Sequence, residues 1–173
     1  MVARAALRLP GCRRPAPGCT GPGRDRPFAV RAPAEVLSPR NLVRHRNTVR
    51  GQAGEEFDEV WCAVDVDRFG GFDQATALAE DNRVELIVAN PCEFWLLLHF
   101  RQWTAWLDDA SMTIRELRRH LPRYDESRVS PPDLADGIDD AVRRAKAAER
   151  DTPHHTRNLS TSVWRLVERI RAP

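Results

Sequence analysis

The chain has 173 residues, with 27 Lys plus Arg against 25 Asp plus Glu and a 42% hydrophobic content, which suits one domain, or one domain with a tail, built around a real core. A formal charge of only +2 excludes a strongly basic nucleic-acid coat and an acidic solvating chain. No apolar run approaches the roughly 18 residues of a membrane span. Residues 1–10 lack the continuous apolar stretch of a secretory signal, and Cys12, Cys19, Cys62 and Cys92 are too scattered for a disulfide framework or a zinc site. A cytoplasmic, reducing location and no membrane contact are therefore expected.

Residues 1–33 hold seven Arg against one Asp, six of the 13 prolines and four of the nine glycines. So little apolar surface cannot offset the entropy of ordering the backbone, so 1–33 reads as a disordered leader and 34–173 as the folded domain. A basic arm touching nucleic acid is the functional alternative to an unstructured leader.

Regular signals begin after residue 34. Ser38 followed by Pro39 marks an N-cap and first helical position; Leu42, Val43 and Val49 give that helix a thin apolar face, and residues 51–54, with two glycines, break it. Residues 60–64 form a short apolar run ending in Asp65-Val66-Asp67, as expected of a strand buried on both faces. Residues 72–82 suit a short helix carrying Phe72, Ala75, Leu78 and Ala79 on one side, and 84–89 a second strand stopped by Asn90-Pro91. Residues 92–107 are apolar almost all round and predict the most buried helix. Thr113 to Glu116 reads as a capping box flanked by Met112 and Leu117. Ser130-Pro131-Pro132-Asp133 opens a helix with a stripe from Leu134 to Ala148, and a last helix from about Ser160 is expected to bury Val163, Leu166, Val167 and Ile170. Strands alternating with helices, then a helical C-terminal half, indicate an α/β fold with a mostly parallel sheet.

Asp65 and Asp67 carry the sharpest chemical signal. Residues i and i+2 of a strand project from one face, and the C-terminal end of a strand in an α/β sheet faces the ligand crevice. Two adjacent carboxylates there repel without a cation. Mg²⁺ suits one or two carboxylates completed by water and phosphate oxygens, which points to metal-assisted phosphoryl transfer or phosphodiester cleavage. The plain alternative is a solvated turn. Glu93 belongs either to the favourable first turn of a helix or to the same crevice. His99 lies about 120° around the helix from Glu93 and reads either as a core histidine bonded to a backbone carbonyl or as a general base. Trp61, Trp95, Trp103, Trp106 and Trp164 read as core.

Taken together, residues 57–67, with their Asp-x-Asp ending, and residues 90–100, which read Asn-Pro-Cys-Glu-Phe-Trp-Leu-Leu-Leu-His-Phe, resemble the two signatures of the RloB-like family; residues 141–149 and 158–163 resemble its C-terminal helices. The similarity runs from about Ser38 to Ile170. The resemblance implies a Toprim-like fold and a part in bacterial anti-phage defence (abortive infection). It implies an ATPase partner subunit and Mg²⁺- or Mn²⁺-dependent cleavage of DNA or RNA. On it, Asp65 and Asp67 match the metal-binding aspartates, and Glu93 and His99 match the helix motif as candidate catalytic residues. The chain departs from the family in two places. No Glu-Gly turn follows an opening strand within residues 1–33, where there is no glutamate, and one residue is missing between Cys92 and Glu93. Loss of the opening strand implies an open edge on the strand carrying Asp65. A non-catalytic interaction module, a degenerate or truncated member of the family, is the alternative reading.

Overall fold

The structure, a computed structural model, describes residues 5–10, 29–31, 37–52, 57–66, 70–104, 110–125, 129, 132–149 and 160–172. The chain divides into two compact units, one of residues 2–64, 69–87 and 168–173 and the other of 65–68 and 88–167. Among the described residues no helix is long and apolar enough to cross a membrane.

In the first unit, strands β1 (Ala5–Pro10), β2 (Ala29–Arg31), β3 (Phe57–Asp65) and the start of β4 (Val84–Asn90) lie in the order β2-β1-β3-β4. β1 runs antiparallel to both β2 and β3, with Leu7 opposite Val30 and Trp61. Two stretches of the leader expected to be disordered are thus strands, and β1 occupies the edge of β3 expected to stand open. The rest of the leader lies outside the described residues. Helix α1 (Pro39–Gln52) starts as its sequence predicts: Asn41 N donates to Ser38 Oγ at 3.3 Å, and Leu42 and Val43 are buried. Helix α2 (Phe72–Asp81) begins after Gly71, whose φ of +81° is the left-handed conformation that glycine adopts without strain. It buries Phe72, Ala75 and Ala79. At the far end of the chain, Arg169 Nε reaches both carboxylate oxygens of Glu59 at 2.8 and 2.9 Å, and Trp61 Nε1 donates to the same carboxylate at 3.1 Å.

The second unit contains the end of β4, which pairs antiparallel with β5 (Ser160–Thr161) through Ala89 and Asn90. Val66 N donates to Ala89 O at 3.2 Å, where β3 and β4 both end, so these two strands run in the same direction. The expectation of a mostly parallel sheet is therefore corrected. The fold is α/β, but β1-β2, β1-β3 and β4-β5 are antiparallel pairs. Of the strands, β3 and β4 are joined by a helical crossover, the connection that parallel pairing requires.

Helix α3 (Cys92–Leu97) buries Glu93, Phe94, Trp95 and Leu97. It is the buried helix expected, but shorter: after Leu97 the chain tightens into turns, His99 N and Phe100 N bonding three residues back to Leu96 O and Leu97 O. Phe94, Trp95 and Leu98 pack on Ala141 and Ala145 of helix α6 (Ile138–Ala148), with Trp103, Met112 and Trp164 around them; burying each large apolar side chain stabilises by about 1.5–3 kcal/mol. Helix α4 (Ala110–Leu117) begins three residues before Thr113, which is fully buried with no partner for Oγ1 among the described residues, so the expected capping box does not form. The single helix expected from Pro132 is two, α5 (Pro132–Ala135) and α6, parted at Gly137. Helix α7 (Val163–Arg171) starts after β5 instead of at Ser160, and Val163, Leu166, Val167 and Ile170 are half-buried, not buried. Thr161 Oγ1 accepts from Val163 N at its start.

Gly137 marks a close approach. A Cβ at this position would run into His99 O and stand 2.9 Å from His99 Cβ. Nearby, Arg144 Nη1 donates to Leu98 O at 2.6 Å, and its Nη2 reaches Asp140 at 2.8 Å, so α6 satisfies a carbonyl left over at the end of α3. Gly137→Ala should accordingly destabilise the protein by about 1–3 kcal/mol, measured by urea unfolding; an unchanged midpoint would show that α6 yields freely there.

Candidate metal centre at the end of strand β3

Asp65 is the last residue of β3 and only 6% exposed. Its Oδ2 accepts from the backbone N–H of Cys92, the first residue of α3, at 3.4 Å. The residue at the N-cap of α3 is Pro91, which offers no side-chain acceptor. The first N–H groups of a helix lack internal partners and carry its positive pole, and here a carboxylate from 27 residues upstream serves one of them. Residue Asp67, its expected companion, lies outside the described residues, as does Glu35; the side chain of Asn90 is likewise outside them.

Glu93 is 2% exposed, and Tyr124 Oη donates to its Oε1 at 3.4 Å. Tyr124 also lines a cavity of about 350 Å³ together with Leu121, Pro122, Arg123, Val129 and Asp133. His99 is held as the plain core reading has it. Its Nδ1 lies 3.0 Å from Trp95 O, to which it donates, and its ring meets the Trp95 ring edge-on with centroids 5.0 Å apart. Among the described residues no three His, Cys, Asp or Glu side chains are gathered closely enough to hold a metal ion. The structure thus joins Asp65 to the start of α3 but does not assemble Asp65, Glu93 and His99 into one ligand set. The available donor, a buried hard carboxylate at a strand end, is of the type Mg²⁺ accepts when water and substrate oxygens complete its shell. Cys62 is fully buried and Cys92 half-buried, and neither is in a disulfide.

Sequence reasoning missed Ser162, Tyr124 and Arg144. Ser162 is 2% exposed and clasps Val88 three ways. Its Oγ accepts from Val88 N at 2.8 Å and donates to Val88 O at 3.2 Å, and its own N–H donates to that carbonyl at 2.8 Å. This clasp holds the last turn before α7 on β4, immediately upstream of α3. Its partner is 74 residues away, and a serine in a Ser-Thr-Ser stretch before an amphipathic helix carries no local sign of it.

Burial lowers the pKa of His99 from its ordinary 6.5, and the nearby Arg144 charge acts in the same direction. As pH falls through 6.5 the unfolded chain takes up this proton before the folded one does, so the His99 contribution to stability is intact above that value and lost below it. Urea unfolding should therefore show a lower midpoint at pH 5.5 than at pH 7.5, about neutral, with a smaller difference in His99→Gln; an equal difference in both proteins would contradict this.

A family model described as RloB-like protein matches residues 13–170. No curated protein and no solved structure matches the chain. The match covers nearly all of the sequence, including β3 with Asp65, β4, the α3 signature and the Ser162 clasp, and on that extent the chain belongs to the RloB-like family.

Proposed function

We propose that this chain is the Mg²⁺- or Mn²⁺-dependent nuclease subunit of a bacterial anti-phage, abortive-infection system, working in the cytoplasm with an ATPase partner on DNA or RNA. The observation that carries the reading is the position of Asp65, a buried carboxylate where β3 and β4 both end and α3 begins. The reading takes β3-α2-β4, a parallel pair with a helical crossover, as the Toprim-like part of the fold. Asp65 and Asp67 would hold the ion, which when bound would polarise a phosphodiester and lower the pKa of a water nucleophile.

The remaining residues orient and exclude water. The Cys92 N–H donates to one oxygen of Asp65 and so helps orient the carboxylate at the strand end. Ser162 holds β4 in register beside it. Glu93 and His99, bonded to Tyr124 and to Trp95 O, support α3 from within and act as positioning groups. A second reading, a non-catalytic interaction module that keeps the family fold, is favoured by one observation: Glu93 and His99 are each bonded within the fold, to Tyr124 and to Trp95 O.

Plasmid nicking with Mg²⁺ or Mn²⁺ separates the two. Asp65→Asn keeps an oxygen acceptor for the Cys92 N–H while removing the charge. Loss of a supporting group around a metal typically costs about 10–100-fold, so loss of a direct ligand should reduce cleavage by on the order of 100-fold or more, with unchanged thermal stability. Equal, background-level cleavage by both proteins would favour the module.

A further inference from the structure

We propose that the surface formed where the chain leaving α3 meets the C-terminal end of α4 docks single-stranded nucleic acid, with its arginines on phosphates and the His120 ring under a base. The choice of polyanion rests on the proposed action on nucleic acid; the surface itself is read from the side chains. Residues 110–123 contain four arginines and a single acidic residue, Glu116. Arg115, Arg118, Arg119, His120 and Arg123 are all exposed, as is Arg101. Glu116 is buried, with Arg119 at 2.8 Å and Arg101 at 3.9 Å. One carboxylate, placed inside, therefore anchors two guanidiniums. Asp125 and Asp133, the latter lining one cavity with Arg123, are also exposed here, but the five exposed arginines outnumber them, in a chain whose formal charge is only +2 overall.

The aromatic groups decide the kind of polyanion. His120 lies flat on Phe100, with ring centroids 5.1 Å apart and planes 6° from parallel. Phe100 is half-buried and His120 exposed, so the imidazole is the outer member of the stack and its far face is open to another planar ring. Arg101 lies over the Trp103 ring, 4.9 Å from its centroid, which holds a flat guanidinium beside the first stack. Guanidiniums interleaved with a stacking platform are what an unpaired strand requires, because its bases expose their faces. A duplex hides those faces, and an acidic peptide without aromatic residues has none to offer.

The test uses the full chain with EDTA, so that binding is read without cleavage. Anisotropy of a labelled oligothymidylate, and of the same strand in a duplex, is titrated between about 50 and 200 mM salt. Arg115→Gln/Arg118→Gln/Arg123→Gln should bind about 10-fold more weakly or worse and lower the salt slope by about 2, since each single-strand phosphate contact contributes about 0.7. His120→Ala should lose about 5-fold or more on the single strand and nothing on the duplex, as loss of one stacking contact implies. Arg40→Gln/Arg44→Gln, on α1, should behave as the parent, and all variants should share its thermal midpoint. Unchanged affinity and slope in the triple variant, or tighter binding of duplex or of a polyglutamate peptide than of the single strand, would overturn the proposal. A chain that binds as described yet never cleaves removes the nuclease reading and leaves this surface standing; cleavage with unaltered binding in the triple variant removes this surface alone.

Discussion

The architecture around the candidate centre depends on one joint, where β3 and β4 end together and α3 begins. Three connections make it: Val66 N to Ala89 O, Cys92 N to Asp65 Oδ2, and the Ser162 clasp on Val88. Each satisfies backbone groups that regular structure leaves over at its ends, and buried groups of this kind are costly when unserved. Pro91 at the N-cap makes no side-chain cap bond, and the first N–H of α3, that of Cys92, takes its acceptor from another part of the chain. Asp65 supplies it, so one backbone hydrogen bond ties the carboxylate at the strand end to the start of α3.

Behind the joint, α3 is held by polar groups that the apolar core surrounds without isolating. Glu93 meets Tyr124, His99 meets Trp95 O, and Arg144 meets Leu98 O. The small residues Ala141, Ala145 and Gly137 let α6 approach closely enough for the last of these to form. Glu93 and His99, the candidate catalytic residues of the family resemblance, thus each hold a bond within the fold, while the exposed arginines lie further on, past the turns that end the helix. Asp65 differs from Glu93 and His99 in standing at the strand end, where β3, β4 and α3 converge.

Much of this was legible in the sequence where local rules govern. The Ser38 cap, the apolar run of β3, helix α2, strand β4 and the buried character of α3 follow from periodicity and end signals, and Asp65 was placed at its strand end by the same reasoning. The errors fall where distant contacts decide. Residues 5–10, Ala-Ala-Leu-Arg-Leu-Pro within an arginine- and proline-rich leader, become a strand because β3 offers an edge, which the composition of the leader as a whole does not reveal. The helix expected to run through Leu107 stops at Leu97, where turns and an arginine from α6 take over its carbonyls. Thr113 has the spacing of a capping box, yet the helix starts earlier at Ala110. The single helix expected from Pro132 breaks at Gly137, which packs on the backbone of His99, 38 residues upstream.

The central claim is that the acidic end of β3 holds a divalent ion. Electron paramagnetic resonance of Mn²⁺ titrated into the full chain tests it without reference to any reaction. The account predicts uptake of one ion per chain, weakened by on the order of 100-fold in Asp65→Asn while the protein stays folded. Uptake unaffected by that substitution, or none by the parent protein, would contradict it.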